Sequence, residues 1–198
     1  MEEVSLIQML DARERRVHHQ QELLARYGKP LVCFTMNIAG PVKDTPLIRR
    51  GFARGRQLLE RQFLRCRWTP LYTDVSRAVT GCEAFYVLDA SPLEIKRLTT
   101  LVEDASPLGR LFDMDVLCPD GRKVDREELQ LEGRRCLLCG GPAKVCSSRR
   151  VHTVAALQEK TTEILTRTFT ELDAATAAQQ AVRALLYEVT TTPKPGLV

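Results

Sequence analysis

Apolar side chains recur every three or four positions near both ends of the chain, and this spacing predicts an α-helix at each end. The first predicted helix spans residues 5–27, because Gly28 is available as its C-terminal cap and Pro30 ends it. The second spans residues 153–189, and we expect an interruption near Asp173. These two helices flank a middle section with a different pattern.

The middle section alternates short apolar runs, which predict strands, with longer amphipathic stretches, which predict helices. Thr45 and Pro46 mark the start of one helix, and Ser91 opens another with a capping-box pattern. The helices are expected at residues 46–66 and 91–104, and the strands at residues 31–38, 68–79, 84–88 and 111–117. This order predicts an α+β fold, in which helices pack on a mixed sheet.

Residues 131–152 depart from this pattern, because they are rich in Cys, Arg and Gly and show little periodicity. We expect a small module dominated by loops. Its thiols and one imidazole follow the series Cys-x2-Cys-x6-Cys-x5-His, formed by Cys136, Cys139, Cys146 and His152. Soft thiolates with one imidazole are the ligand set of a structural zinc site. The alternative is a set of buried thiols beside an anion site rich in Arg and His.

Composition places the chain among ordinary globular proteins, with 44% hydrophobic and 27% charged residues. No apolar run approaches the ~20 residues that a membrane span requires, and the acidic start does not resemble a secretory signal. The seven cysteines are an odd number, which favours reduced thiols over a disulfide framework. We therefore expect a cytoplasmic protein that does not contact a membrane.

The basic residues are mostly arginine, which outnumbers lysine by 22 to 7 within a net charge of only +4. The planar guanidinium matches pairs of carboxylate or phosphate oxygens, although an arginine-rich genome would explain the bias as well. An arginine face is predicted on the helix at residues 46–66, formed by Arg50, Arg54, Arg61 and Arg65. It would suit a polyanion or an acidic partner, or it is simply a solvated surface.

Asp113 and Asp115 form the clearest candidate for catalysis. The period of two on a strand places both carboxylates on one face, while Phe112, Met114 and Val116 point into the core. Two such carboxylates could hold one Mg²⁺, which would neutralise phosphate charge during group transfer. Gly109 permits close backbone approach and Arg110 supplies a cation beside them. The alternative is an edge strand with a solvated acidic face.

The loop at residues 40–44 precedes a predicted helix, where free backbone N–H groups and the helix dipole favour an anion. Gly40 and Lys43 could complete a phosphate cradle there. A simple turn between a strand and a helix is the alternative.

Three motifs in this order resemble the apo-citrate lyase phosphoribosyl-dephospho-CoA transferase family. They are Gly-Pro-Val-Lys-Asp at residues 40–44, Pro-Leu-Gly-Arg-Leu-Phe-Asp-Met-Asp-Val-Leu at residues 107–117, and Arg-Arg-Cys-Leu-Leu-Cys at residues 134–139, followed by Cys146 and His152. The resemblance implies a nucleotidyltransferase that moves the prosthetic group of 2′-(5″-triphosphoribosyl)-3′-dephospho-CoA onto a serine of the acyl carrier subunit of citrate lyase and releases pyrophosphate. A related enzyme that serves malonate decarboxylase has the same chemistry.

With this resemblance, we expect Asp113, Asp115 and Arg110 to be catalytic, with Mg²⁺ on the two aspartates. Substrate contacts are expected from Gly40, Lys43, Gly109, Arg49 and Arg50. The acidic carrier would suit the arginine face. A likeness to the palm of nucleotidyltransferases is suggested by the chemistry alone.

The expected transferase domain spans residues 1–173, and the tail at residues 174–198 resembles the opening of triphosphoribosyl-dephospho-CoA synthase. That synthase makes the donor, so the resemblance implies a fused or separate partner enzyme. Two rival functions remain open at this stage. One is a zinc-knuckle module that binds RNA, but the Cys/His module has no aromatic residue on which a base could stack, which counts against this function. The other is a scaffold that only docks the carrier. We expect no nucleic-acid partner.

Overall fold

Nine helices and strands account for most of residues 2–191, which are the residues that a computed structural model of this chain describes, with side chains as far as residue 180. The helices are α1 (Leu6–Tyr27), α2 (Pro46–Arg65), α3 (Pro92–Asp104), α4 (Ala143–Ser148) and α5 (Val154–Thr191). The strands are β1 (Leu31–Met36), β2 (Tyr72–Ala78), β3 (Gly81–Val87) and β4 (Phe112–Leu117). Short 3₁₀ turns cover Gly109–Leu111 and Arg126–Leu129.

The four strands form one sheet in the order β2-β3-β1-β4. The α+β prediction is confirmed, but the expected mixed sheet is wrong in its strand directions, because every neighbouring pair is antiparallel. The reason is that the strands joined by a helix are not neighbours in the sheet. Helix α2 connects β1 to β2, with β3 between them, and α3 connects β3 to β4, with β1 between them. This order is the ferredoxin-like, split βαβ arrangement. The likeness to a nucleotidyltransferase palm stays a prediction.

The two faces of the sheet are covered by different helices. Helices α2 and α3 and the first half of α5 contribute to the larger core cluster, which includes Phe34, Phe112 and Met114. Helix α2 lies directly on the sheet because Gly55 has no side chain; a Cβ there would lie 2.5 Å from the Phe34 ring. Helix α1 covers the other face with Leu23 and Leu24. The α1 face is the one that carries the candidate acidic residues.

Local signals fix the ends of α1 and α2 as the sequence predicts. Ser5 and Gln8 form a reciprocal capping box at the start of α1, and Gly28 ends the helix with φ at 58°. The Thr45 hydroxyl accepts the backbone N–H of Ile48 at 3.1 Å. The capping box predicted at Ser91 is wrong, because Ser91 precedes α3 without a side-chain bond to the helix.

A buried charge network covers the free edge of β4. The Glu103 side chain is only 2% exposed and accepts the backbone N–H of Met114 at 2.8 Å, while Lys96 donates to the Met114 carbonyl at 3.2 Å. Arg126 contacts the Glu103 carboxylate at 2.7 Å, and Arg134 contacts its other oxygen. Four separate segments therefore meet at one carboxylate: α3, β4, the turn before the Cys/His module, and the module itself.

The predicted interruption of the last helix is wrong, because α5 continues through Asp173. Burial nevertheless changes near Asp173. Ile164, Leu165 and Phe169 are buried and Leu172 is partly buried, whereas residues 173–180 are all exposed. The side chains of residues 181–191, which belong to the tail predicted to resemble a synthase, lie outside the described residues. Within residues 2–191, no helix combines the length and apolar character that a bilayer crossing requires.

We predict that Glu103→Gln lowers the free energy of unfolding by about 3 kcal/mol, because it leaves two arginines beside a neutral, buried partner. Urea titration followed by circular dichroism measures this change. The matched control is Asp104→Asn, which removes a carboxylate from the same Arg126 at a site that is 54% exposed. It should cost less than about 1 kcal/mol. Equal costs for the two variants would contradict a special role for the buried carboxylate.

Candidate functional site

Asp113 and Asp115 lie together on the α1 face of the sheet. In the register of β4 with β1, Asp113 pairs with Thr35 and Asp115 with Cys33. The alternate residues Phe112, Met114 and Val116 are fully buried on the other face, as the strand period predicts. Glu83 on β3 precedes Ala84, the partner of Phe34, so it lies in the same row as Thr35 and Asp113. The structure therefore places three carboxylates on one surface.

Cations balance each of these carboxylates. Lys123 contacts Asp115 at 2.6 Å, Arg16 of α1 contacts Glu83 at 2.6 Å, and Arg134 lies 3.5 Å from Asp113. Burial raises the pKa of Asp113 above its ordinary value, and the neighbouring charge of Asp115 raises it further. The contact with Arg134 is the longest of the three, so Asp113 is the least neutralised carboxylate of this group. Mutual repulsion of this kind is what a divalent cation held by both aspartates would relieve.

Asp113 opens into a cavity of about 150 Å³, which we call the aspartate cavity. Its walls come from α1, from the loop after β1 and from the turn between β2 and β3, and its charged lining is Arg13, Arg16, Lys43 and Asp113. Lys43 donates to the carbonyl of Ile38. Burial and the charge of Arg13 hold the pKa of Lys43 below its ordinary value. Three cations beside one carboxylate make this cavity suitable for a phosphate-bearing group.

The expected cradle at the start of α2 has a different construction. Asp44 accepts hydrogen bonds from Arg49 at 3.0 Å and from Arg77 at 2.8 Å, so a carboxylate already lies beside the N-terminus of this helix. Gly40 has φ at 82° and packs against Gln158 of α5. Of the predicted loop residues, Lys43 is the one that lines the aspartate cavity.

The arginine face of α2 turns away from the aspartates. Arg50 contacts Asp173 at 2.7 Å and its guanidinium lies 4.3 Å from the centroid of the Phe169 ring, both on α5. Arg61 and Arg65 are exposed. Neither Arg49 nor Arg50 lines the aspartate cavity, so their predicted contacts with substrate have no geometric support there.

A second and larger cavity of about 930 Å³ lies between the Cys/His module, the start of β4 and the start of α5. We call it the arginine cavity, because its lining includes Arg110, Arg126, Arg134, Arg135 and Arg150. Gly109 also lines it, and its backbone packs closely against the end of α3. Asn37 lines both cavities, and Arg134 of the larger one contacts Asp113 of the smaller one. The two cavities therefore adjoin beside Asp113.

Several of these residues escape sequence reasoning. Arg13 and Arg16 look like ordinary polar positions of an amphipathic helix, and the contact of Arg16 with Glu83 spans 67 positions. Glu103 looks like the solvated end of α3. The sequence marks only Arg134, which lies two residues before the Cys-x2-Cys motif within Arg-Arg-Cys.

The Cys/His series converges as predicted. The ligand atoms of Cys136, Cys139, Cys146 and His152 all lie within 4.8 Å of one another. Cys139 Sγ lies 3.5 Å from Cys146 Sγ and 3.3 Å from His152 Nε2. Tetrahedral zinc with bonds of about 2.3 Å to sulfur places its ligand atoms about 3.5–3.8 Å apart, so the donor set and spacing fit. This arrangement could hold one metal ion.

The backbone around Cys136 also favours a thiolate. Burial opposes the charge, but the N–H groups of Cys139 and Leu138 and the neighbouring thiols lower the pKa of Cys136 to about 7. Gly140 has φ at 71°, which lets the chain turn back after the first thiol pair.

Comparison with known proteins gives a family match that covers most of the chain. Residues 4–168 match the family model described as apo-citrate lyase phosphoribosyl-dephospho-CoA transferase. This match includes the aspartates and the whole Cys/His module. The module therefore falls within the matched region and is not appended to it.

Individual relatives fall into two groups. A probable apo-citrate lyase phosphoribosyl-dephospho-CoA transferase of Vibrio cholerae is 38% identical over 162 residues, which cover 81% of this chain and 91% of that protein. The corresponding transferase of Citrobacter koseri is 35% identical over 154 residues, covering 78% and 84%. Protein CitXG of Haemophilus influenzae is 33% identical over 196 residues, or 98% of this chain. The chain spans only 41% of the length of that protein.

Proposed function

The chain belongs to the apo-citrate lyase phosphoribosyl-dephospho-CoA transferase family, and from this premise we propose that it transfers that prosthetic group to citrate lyase. The donor would be 2′-(5″-triphosphoribosyl)-3′-dephospho-CoA and the acceptor a serine of the acyl carrier subunit. The observation that carries the proposal is the aspartate cavity, where Asp113 lies among Arg13, Arg16 and Lys43. A carboxylate beside converging cations suits the transfer of a phosphate-bearing group.

The proposed reaction is a substitution at phosphorus. The serine oxygen of the carrier forms a bond to the phosphorus next to the ribose, and the bond from that phosphorus to pyrophosphate breaks. The serine proton is lost to solvent or to a base, and the product is a phosphodiester. Lys43 and Arg13 would hold the departing pyrophosphate, since neither forms an ion pair with a carboxylate among the residues whose side chains are described. Arg110 would add positive charge from the adjoining cavity.

Asp113 and Asp115 would hold Mg²⁺, because two carboxylates on one strand face provide hard oxygen ligands and repel each other without a cation. When bound, the ion would neutralise phosphate charge. Lys123 contacts Asp115 and Arg134 contacts Asp113, so each would orient one of the two carboxylates.

The Cys/His cluster would hold zinc in a structural role. It supplies four protein ligands, which leaves no open position for chemistry. This role fits a module that contains one short helix, α4, and whose buried residue is Cys136.

An acidic carrier would dock on the arginine face at the exposed Arg61 and Arg65 and the half-buried Arg54. Arg50 contributes less to this surface, because Asp173 already pairs with it.

We also propose that residues 1–173 form the transferase domain and that residues 174–198 belong to a synthase-like tail. The support is twofold. The side chains at residues 173–180 are exposed, and the similarity to Protein CitXG extends over 98% of this chain whereas the transferase relatives cover about 80%.

The central prediction is that Asp113→Asn and Asp115→Asn each reduce transfer by about 100-fold or more, because each removes a charge from the reacting site. Wild type and variants are incubated with donor, apo carrier and Mg²⁺, and the carrier is weighed by mass spectrometry. Asp120→Asn, in an exposed turn beyond β4, is the matched control and should keep full activity. Full activity of an Asp113 or Asp115 variant would overturn the assignment of that residue.

We predict about one equivalent of zinc per chain by elemental analysis of protein purified without chelator. Cys139→Ser should reduce the content to less than about a tenth of an equivalent, because zinc requires the complete ligand set. Cys66→Ser, an exposed cysteine outside the cluster, is the control and should leave the zinc content unchanged. Wild-type protein without zinc would favour the alternative of free thiols beside an anion site.

Removing residues 174–198 should leave transfer within about twofold of wild type, because the side chains at residues 174–180 are exposed. A longer deletion from residue 161 is the comparison. It removes the buried side chains of Ile164, Leu165 and Phe169 and should abolish folding. Loss of folding with the shorter deletion would show that the whole of α5 belongs to the transferase domain.

A further inference from the structure

The aspartate cavity is too small for the whole donor. Its volume is about 150 Å³, whereas pockets for ligands of drug size have about 300–1,000 Å³. The donor proposed above carries two separate polyphosphate groups: a triphosphate on the ribose, where the reaction occurs, and the diphosphate within dephospho-CoA. The adenosine and the pantetheine arm that flank this diphosphate need considerable space. A second basic cavity is therefore required if the chain binds the complete donor.

The arginine cavity meets this requirement in size and position. It has about 930 Å³ and adjoins the aspartate cavity at Asn37 and at the contact between Arg134 and Asp113. A ligand that spans both cavities would pass beside Asp113. Its apolar lining would suit the adenine ring and the pantetheine arm, and includes Leu111, Leu131, Leu137, Val154 and Leu157.

The charges of the arginine cavity are not all balanced. Arg126 pairs with Glu103 and Asp104, Arg134 with Glu103, and Arg135 with Glu132. Among the residues whose side chains are described, Arg110 and Arg150 form no ion pair, and Arg110 donates only to the backbone carbonyl of Arg135. These two guanidinium groups are the cations free to bind a diphosphate.

The Cys/His cluster supports one wall of this cavity. Cys136, Cys146 and His152 line the cavity themselves. Arg135 directly precedes Cys136, and Arg150 lies two residues before His152. Arg150 has φ at 49°, in the left-handed region that non-glycine residues rarely adopt. The backbone of Val151 returns to the Cys146 carbonyl at 3.0 Å, which fixes this turn directly before His152. The cluster and the cation therefore share one short segment.

We propose that the arginine cavity binds the dephospho-CoA end of the donor, with Arg110 and Arg150 on its diphosphate, while the triphosphate enters the aspartate cavity. This inference rests on the proposed function and deepens it by assigning the two ends of the donor to two cavities. It also gives the metal cluster a function, because the cluster holds the wall that carries Arg150. Arg110 and Arg150 are thereby substrate-binding residues of one pocket, contributed by the turn before β4 and by the Cys/His module.

The test is calorimetric titration of dephospho-CoA into the full chain. Wild type should bind it, and Arg150→Gln should bind about tenfold more weakly, which is the loss of one charge-assisted hydrogen bond to phosphate. Arg149→Gln is the matched control, since Arg149 is an exposed neighbour that does not line the cavity. Arg110→Gln, in the turn before β4, provides a second variant. Zinc content and thermal unfolding of each variant show that the module remains folded.

Two further binding measurements test whether dephospho-CoA occupies the arginine cavity specifically. Inorganic pyrophosphate should bind without displacing dephospho-CoA, because the two ligands occupy different cavities. Protein stripped of zinc by a chelator should lose affinity for dephospho-CoA, and readdition of zinc should restore it. Competition between the two ligands, or full affinity of Arg150→Gln and Arg110→Gln, would overturn the inference.

Failure of the inference can be distinguished from failure of the proposed function. In the transfer assay, Arg150→Gln should raise KM for the donor and leave KM for the carrier unchanged. If wild type modifies the carrier while the Arg150 and Arg110 variants keep wild-type KM for the donor, only the assignment of the cavity is wrong. If wild type binds dephospho-CoA with the predicted dependence on Arg150 but never modifies the carrier, the proposed function is wrong.

Discussion

The buried carboxylate of Glu103 is the interaction on which the arrangement of the site depends. Strand β4 lies at an edge of the sheet, and an edge strand leaves backbone groups without partners. Glu103 accepts the N–H of Met114, the residue between the two aspartates, while Lys96 donates to the carbonyl of the same residue. A carboxylate this deeply buried requires compensating cations, and Arg126 and Arg134 provide them. The carboxylate that pairs with the edge of β4 is thus the reason why two arginines from distant segments are held there.

The position of the Cys/His module follows from the same contact. Arg134 lies two residues before Cys136, so its contact with Glu103 holds the module against the end of β4. The same guanidinium lies 3.5 Å from Asp113. The arginine cavity beneath the module and the aspartate cavity beneath α1 consequently adjoin at Asp113. The contact that covers the edge of β4 therefore also brings the module to the strand that carries both aspartates.

Sequence reasoning succeeds where the controlling interactions are local. The ends of α1 and α2 follow from Ser5, Gly28 and Thr45, the shared face of Asp113 and Asp115 follows from the strand period, and the convergence of the Cys/His series follows from its spacing. It fails where contacts between distant segments decide. The directions of neighbouring strands depend on the order of the strands in the sheet, which contacts between distant segments decide. Arg16 likewise contacts Glu83 only because α1 packs on the sheet. Arg50 belongs to a helical face with three other arginines, yet Asp173 and Phe169 of α5 determine its surroundings.

The central claim is that the phosphate chemistry occurs where Asp113 meets the two basic cavities. Anomalous diffraction from a crystal grown with Mn²⁺ and the donor tests this claim most directly, because manganese can replace magnesium and its position is observed without assumptions. We expect a manganese peak at coordination distance from Asp113 and Asp115, with the triphosphate beside Lys43. A manganese peak elsewhere, or a donor bound away from Asp113, would contradict it.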